Sequence, residues 1–270
     1  MPNRDREFVF IAGTSGSGTT LLLRMLSSLP EIISLGGNHV DVGDSEVGRR
    51  FVERIDEASR IYWDSRSSFA EWQSARDSMQ LTIEEARTTT EFPELETILF
   101  KRSCPFYREE FHRPSFLDAT NELGADKIIW IQRNLVDTTY SSFRREFCKN
   151  LRHTATTQVV CFQQLQSEFK AIDPNKRMFI AYEDLCQQPL EVAMRLTSFL
   201  GCDLSGLKHW INENPMKLKR KILTEATEAQ RRFVESFWNA RGYLHHGSQT
   251  VQESRLKSIA RSIPGARRAA

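Results

Sequence analysis

Apolar and polar residues alternate along this chain with two different periods. Short apolar runs of strand length occur at 8–11, 32–35, 97–100, 127–131 and 177–181. Apolar residues recur at helical spacing in the longer segments at 21–29, 45–87, 190–200 and 227–243. Strands joined by crossover helices pair in parallel, so the pattern predicts an α/β fold with a central parallel sheet covered on both faces.

The length of 270 residues is compatible with one α/β domain built around one core. We expect this domain to span 1–262, with a helical insert at about 45–92 that lies over the sheet. Residues 263–270 show no hydrophobic periodicity, which indicates a disordered tail.

Composition and charge narrow the classes of partner and location. The formal net charge is only +2, which gives no global signal for a nucleic-acid partner, although a local basic pocket can still bind a small polyanion. The five cysteines are odd in number and include no C-x-x-C pair, so we expect reduced thiols. The chain has no apolar run of membrane-spanning length and no signal-peptide pattern, which favours a cytoplasmic protein without a membrane span.

Candidate chemistry begins in the glycine-rich segment 13–20, between the first predicted strand and the first predicted helix. At such a position backbone N–H groups and the amino end of a helix converge on an anion. The spacing G-x-x-x-x-G-T-T is that of a Walker-type loop, with Thr19 where a nucleoside triphosphatase has lysine. It predicts a three-layer P-loop-type fold in which phosphate contacts the loop residues Ser15, Gly16, Ser17, Gly18, Thr19 and Thr20.

The string Ser-Gly-Thr-Thr-Leu-Leu at 17–22 resembles the 5'-phosphosulfate loop of the sulfotransferase family. The resemblance implies that the chain uses 3'-phosphoadenosine 5'-phosphosulfate (PAPS) as co-substrate and releases adenosine 3',5'-bisphosphate (PAP). The family usually has lysine or arginine directly before this serine, where it stabilises the bridging oxygen in transfer, and this chain has Gly16. The departure leaves the fold prediction unchanged, because a backbone cradle does not need that side chain.

A second motif follows the strand predicted at 127–131. Arg133 leaves the carboxyl end of that strand, where α/β sheets bind ligands, and Ser141 comes eight residues later. A helix that begins near Leu135 would return the hydroxyl, after about two turns, beside a phosphate held by Arg133. The pattern R-N-x-x-D-x-x-x-S resembles the family's 3'-phosphate motif, and it favours PAPS over ATP, which has no 3'-phosphate. Arg145, three turns along the same predicted helix, resembles a further 3'-phosphate arginine of some branches.

Two later segments extend the resemblance. The basic cluster 217–221, with Lys219 and Arg220, resembles the late loop that closes over the 3'-phosphate, and a solvated basic surface is the alternative. The string Ala-Tyr-Glu-Asp-Leu at 181–185 resembles a strand-then-helix signature of the family. We treat Glu183 and Asp184 as structural, because acidic groups beside a polyanion would repel it.

The first catalytic assignment concerns the neutralisation of charge on the leaving group. This step does not require a metal ion, and the sequence shows no carboxylate cluster for one. Gly16 supplies no cation, so we expect Lys101 to replace it. Lys101 follows the strand at 97–100 and opens a segment that resembles the family's Lys-x-Pro segment near the sulfate. Arg102 is the neighbouring alternative.

The second assignment concerns the base that accepts the proton of the acceptor hydroxyl. His39 follows the second predicted strand, where many family members place a catalytic acid or base. Asp41 and Glu31 are alternatives, and a hydrogen-bonded loop histidine with no catalytic role is equally compatible with the sequence.

The acceptor stays open at this level, since a glycan, a lipid, a small molecule or a peptide tyrosine can each supply the hydroxyl. Two other functions share part of the pattern. A P-loop nucleotide kinase or hydrolase shares the strand, loop and helix, but requires a lysine where this chain has Thr19. A non-catalytic nucleotide-binding relative would bind PAP without moving sulfate.

Overall fold

The computed structural model describes residues 6–36, 46–64, 67–103, 115–145, 150–215 and 227–239. Within these ranges lie the strands β1 (Glu7–Gly13), β2 (Ile32–Gly36), β3 (Thr97–Ser103), β4 (Lys127–Gln132) and β5 (Arg177–Ala181). The helices are α1 (Thr19–Leu26), α2 (Glu46–Tyr62), α3 (Phe69–Thr88), α4 (Phe116–Glu122), α5 (Leu135–Phe143), α6 (Leu151–Ala171), α7 (Tyr182–Gln187), α8 (Pro189–Leu200), α9 (Leu204–Glu213) and α10 (Glu228–Asn239).

The strands form one parallel sheet in the order β2-β3-β1-β4-β5. The central strand, β1, pairs with β3 along its whole length and with β4 over residues 9–12. After β1 the chain crosses towards one edge of the sheet, and after β4 it crosses towards the other, so the loops that leave these two strands diverge. The crevice between their carboxyl ends is where open α/β sheets bind ligands.

Side chains of β1 alternate between two buried layers. Phe8 and Phe10 pack with residues of α2, α3, α4, α6 and α10, whereas Val9 and Ile11 pack on the opposite face with α1, α7, α8 and α9. All four side chains are fully buried. Because helices cover both faces of the sheet, neither set of alternating residues meets water, and the strand appears in the sequence as a continuous apolar run.

The structure confirms the predicted α/β class and the five predicted strands. The helical segment at 45–87 contains two helices, because Ser68 begins α3 with a capping box: its Oγ accepts from Glu71 N at 3.3 Å and its N–H donates to the Glu71 carboxylate at 2.7 Å. The placement of Arg145 on the helix of Ser141 is wrong, since α5 ends at Phe143 and Arg145 lies in the following turn. The predicted tail at 263–270 lies outside the described residues.

In the described part of the chain, none of the helices combines the length and the apolar character of a membrane span.

Arg6 fastens the connection between α3 and β3 to the start of β1. Its guanidinium donates to Leu95 O at 2.9 Å, to Ala86 O at 2.8 Å and to Phe92 O at 2.6 Å. Ala86 belongs to the last four residues of α3, whose carbonyl groups have no partner within the helix. Because Arg6 is only 8% exposed, its guanidinium takes the place of water as the hydrogen-bond donor to these carbonyl groups.

Replacing Arg6 should therefore destabilise the fold. The variant Arg6→Met should lower the free energy of unfolding by about 3 kcal/mol, because several carbonyl groups lose their donor at once. Arg60, exposed on α2, provides a matched control, and Arg60→Met should change the same quantity by less than about 0.5 kcal/mol. Urea denaturation followed by circular dichroism measures both, and equal stabilities would contradict the role given to Arg6.

Candidate active site

The loop between β1 and α1 is closed by its own backbone. Ser17 N donates to Thr14 O at 3.0 Å, and Leu22 N donates to Gly18 O at 3.1 Å at the start of the helix. Gly16 and Gly18 have φ values of 86° and 106°, which residues with a side chain rarely adopt. The two glycines let the backbone turn so that the loop wraps the amino end of α1, where the helix dipole favours an anion.

The loop touches α5 directly at Gly16. A Cβ placed on Gly16 would lie 3.1 Å from both Cβ and Oγ of Ser141 and 3.2 Å from the carbonyl oxygen of Thr138. The chain positions of Gly16 and Ser141 are 125 residues apart, yet the backbone of one is in contact with the side chain of the other. The structure thus brings the two predicted nucleotide motifs together at the carboxyl ends of β1 and β4.

Arg133 lies at the same edge, directly after β4. It is 6% exposed, its guanidinium forms an ion pair with Asp137 at 3.2 Å, and it lies over the ring of Tyr182 at 5.1 Å. Tyr182 also packs on the loop, because a Cβ on Gly18 would lie 2.5 Å from its ring. Arg133 is therefore held between α5 and α7. Burial raises the pKa of the Tyr182 phenol to about 12, so this group stays neutral near pH 7.

The turn that follows Arg133 is fixed by Asn134 and Glu183. Asn134 caps α5 by accepting from Asp137 N at 2.8 Å. Its own N–H and side-chain amide donate to Glu183 at 3.0 and 3.2 Å. Glu183 thus orients the start of α5, in keeping with the structural role expected from the sequence.

Lys101 reaches the loop from β3, on the other side of β1. Its ammonium group donates to Thr20 Oγ1 at 3.2 Å. Burial lowers the pKa of Lys101 to about 8, and the positive charges of Arg102 and Arg145 contribute to the decrease. The alternative cation, Arg102, instead lies over the ring of Trp63 at 4.9 Å. Lys101 is thus in contact with the loop.

Thr19 stands where a Walker loop of a triphosphatase carries lysine. Its hydroxyl shares a 2.7 Å hydrogen bond with the hydroxyl of Ser103 at the end of β3. Thr19 is also almost completely buried. The side chain thus fastens the start of α1 to the sheet.

The fit of the loop to a phosphate group rests on its backbone. The two glycines of positive φ bring the backbone close around the amino end of α1, which favours an anion. The hydroxyl of Ser17 is fully buried against Gly13 and has no hydrogen-bond partner in the described part of the chain. The loop is therefore suited to a phosphate or phosphosulfate group through its N–H groups.

Other predicted residues are placed differently. Glu31 precedes β2, where its carbonyl oxygen accepts from Thr97 N at 3.0 Å and its carboxylate accepts from Asp203 N at 3.2 Å. Glu31 therefore lies at the amino ends of the parallel strands, whereas the loop lies at their carboxyl ends. Its assignment as a general base is wrong for this reason. The predicted residues His39, Asp41, Lys219 and Arg220 lie outside the described residues.

Two glutamines that were not predicted from the sequence lie beneath the loop. Gln132, at the end of β4, donates to Thr14 Oγ1 at 2.9 Å and to Arg133 O at 2.8 Å. Gln158, on α6, donates to Ser15 O at 3.3 Å. No motif distinguishes either residue, although each interrupts an otherwise apolar pattern.

Comparison with known proteins agrees with this geometry. The sulfotransferase family matches residues 9–206. Among solved structures, the sulfotransferase from Alicyclobacillus acidocaldarius superposes with a TM-score of 0.53 and 14% identity, over 87% of this chain and 92% of that chain. The sulfotransferase domain from the curacin biosynthetic pathway superposes with a TM-score of 0.50 and 16% identity, over 96% and 98%. The sulfotransferase STF1 from Mycobacterium tuberculosis superposes with a TM-score of 0.50 and 11% identity, over 88% and 78%.

No curated protein sequence matches this chain significantly. At identities this low the solved structures show a shared fold, whereas the family match extends over well over half of the chain. The matched residues include the loop, Lys101, Arg133 and Ser141. The chain belongs to the sulfotransferase family.

Proposed function

We propose that this protein transfers a sulfuryl group from PAPS to a hydroxyl acceptor. The observation that carries the proposal is the contact between Gly16 and Ser141, which joins a phosphate-type loop to the segment of Arg133. A nucleotide with phosphates on both its 5' and 3' positions is the ligand class that two adjacent anion sites of this kind fit.

The loop would hold the 5' end of the nucleotide. Its backbone N–H groups and the amino end of α1 would supply the donors. Arg133 and Ser141 would hold the 3'-phosphate, because a guanidinium offers two parallel donors to a phosphate and the hydroxyl adds a third. The stacking of Arg133 on Tyr182 supports this role by limiting the orientations of the guanidinium.

Bound PAPS supplies a sulfuryl group attached to a phosphate leaving group. Lys101 holds a proton on Nζ beside Thr20, so it can neutralise charge that develops on the leaving group. A cation at this position favours an active enzyme over a non-catalytic relative. His39 remains our proposal for the base that accepts the acceptor proton, and the class of acceptor stays as open as the sequence leaves it.

A kinase or hydrolase is the competing enzyme class. The hydroxyl of Thr19 is hydrogen-bonded to Ser103, and Thr19 replaces the lysine that a Walker loop directs to the β- and γ-phosphates of ATP. ATP also has no 3'-phosphate, so it offers nothing for Arg133 and Ser141 to bind. Both points favour PAPS.

Ligand-dependent thermal stability tests the choice of nucleotide. PAP at about 100 times its dissociation constant should add about 2.7 kcal/mol to the free energy of unfolding and raise the melting temperature (Tm), since it binds only the native state. ATP with magnesium at the same concentration should raise Tm less. The effect of PAP should shrink in Arg133→Lys, which keeps the charge but loses the paired donors. A larger shift with ATP and magnesium would instead favour a kinase or hydrolase.

Loss of the Lys101 ammonium should reduce turnover more than binding. In Lys101→Ala we expect kcat to fall by about 100-fold while the Kd of PAP changes little, because the charge acts on the leaving group in the transition state. Labelled sulfate transfer to an acceptor found in a panel of hydroxyl compounds measures kcat, and calorimetry measures Kd. Equal losses in both quantities would assign Lys101 to structure, and PAP binding without transfer by the wild type would indicate a non-catalytic relative.

The depressed pKa of Lys101 also predicts a pH dependence. The cation is present below pH about 8 and is lost as the pH rises through that value, so kcat/KM for PAPS should decrease on the alkaline side. The Lys101→Arg variant should keep its activity to higher pH, because a guanidinium stays protonated throughout the alkaline range in which Lys101 loses its proton. Identical alkaline limbs in the two proteins would contradict the assignment.

Restoring the basic residue usual in the family at position 16 should not help this protein. Gly16→Lys and Gly16→Ala should each lower the free energy of unfolding by about 1–2 kcal/mol, because a Cβ is strained at φ 86° and presses on Ser141. Turnover of Gly16→Lys should stay below that of the wild type. The alanine variant separates the effect of the Cβ from that of the charge, and a lysine variant faster than the wild type would show that a cation fits there.

A further inference from the structure

Gln158 links the loop to α5 from below. Its side-chain amide donates to Ser15 O at 3.3 Å and to Ser142 Oγ at 3.1 Å. Ser15 precedes Gly16 and Ser142 follows Ser141, so the amide joins the residues on either side of the contact between loop and helix. One side chain therefore spans the two segments that would bind the two phosphates.

Local packing does not account for a glutamine at this position. Gln158 is 4% exposed and shares its face of α6 with the buried residues Ala155, Val159 and Phe162. Its Oε1 atom is buried and has no hydrogen-bond partner in the described part of the chain. A buried amide that is only half satisfied is less favourable than an apolar side chain of the same size. The advantage of glutamine here is that its N–H groups bind both Ser15 O and Ser142 Oγ.

A second glutamine holds the same loop independently. Gln132 joins Thr14 to the carbonyl oxygen of Arg133, on the sheet side of the loop. Because this connection does not involve α6, the loop should keep its fold when Gln158 is replaced. What Gln158 adds is the connection of the loop to the part of α5 that carries Ser141.

We propose that Gln158 is a positioning residue that fixes the separation of the loop and the Ser141 segment, and so makes the protein select nucleotides with phosphates on both the 5' and 3' positions. The proposal rests on the function proposed above. The affinity gained from a second phosphate depends on holding its site at the distance that the first imposes, and mobility between the two sites reduces that gain. A ligand with one phosphate occupies only one of the two sites, so its affinity does not depend on the distance between them.

The test compares PAP with adenosine 5'-monophosphate (AMP), which lacks the 3'-phosphate. In Gln158→Met, a change that nearly conserves volume, we expect the Kd of PAP to rise by about tenfold and the Kd of AMP to change by less than about twofold. Gln163→Met makes the same chemical change at an exposed position of α6 and should leave both values as in the wild type. Isothermal titration calorimetry of the purified full chain measures both constants.

Each outcome has a separate meaning. A wild type that does not prefer PAP over AMP would overturn the proposed function itself. A wild type that prefers PAP, together with a Gln158→Met variant that weakens both ligands equally or neither, would overturn the role of Gln158 alone, since a merely structural defect has no reason to spare AMP.

A second variant covers the case in which Gln158→Met does not fold. Ser142→Ala removes one of the two partners of Gln158 and only one oxygen atom from the core. It should weaken PAP by a smaller factor than Gln158→Met, about threefold, and again spare AMP. Unchanged binding of PAP by this variant would contradict the proposal.

Discussion

The loop after β1 and the helix after β4 meet at Gly16, where a side chain would be crowded. The positive φ of Gly16 disfavours any residue with a Cβ, and a Cβ there would lie only 3.1 Å from Ser141. The sheet makes this meeting possible, because β1 and β4 are neighbours and parallel, and their carboxyl ends therefore open at one edge. Backbone packing sets how closely the two candidate phosphate sites approach each other, and Gln158 is proposed to hold them at that separation, on which the proposed choice of nucleotide depends.

The same constraint explains why a cation would come from another strand. The family usually carries a basic residue at the position of Gly16, but here that position faces α5 at van der Waals distance. β3 lies on the other side of β1, so a side chain at its carboxyl end reaches the loop without disturbing the contact, and Lys101 does so through Thr20. Burial and the nearby arginines lower the pKa of Lys101. An anion in the loop would raise it again, because a negative charge favours the protonated form.

The parts of the fold that the sequence predicted are those encoded by local pattern. Buried parallel strands are continuous apolar runs, and the loop and the Arg133 segment are motifs whose spacing is visible without coordinates. The misplaced residues needed tertiary information. Glu31 is excluded as the general base only by the direction of the strands, which places it at their amino ends, away from the loop. No residue pattern in the sequence predicts that α5 ends before Arg145. Gln158 is visible in the sequence as a polar residue that interrupts the apolar face of α6. Its hydrogen-bond partners lie 143 and 16 residues away along the chain, so the sequence does not identify them.

Buried polar atoms without partners are not by themselves evidence for a ligand. Ser27 and Trp130 also carry such atoms, away from the loop. What distinguishes the carboxyl ends of β1 and β4 is that the unpaired hydroxyl of Ser17 lies in a loop with two glycines of positive φ, and that a half-buried cation, Lys101, is in contact with this loop. A partly desolvated charge and an unsatisfied polar group each lower the stability of the folded chain. A cation held beside an anion-binding loop is expected where groups are held in position before an anion arrives, because the anion then offsets the desolvation of the cation.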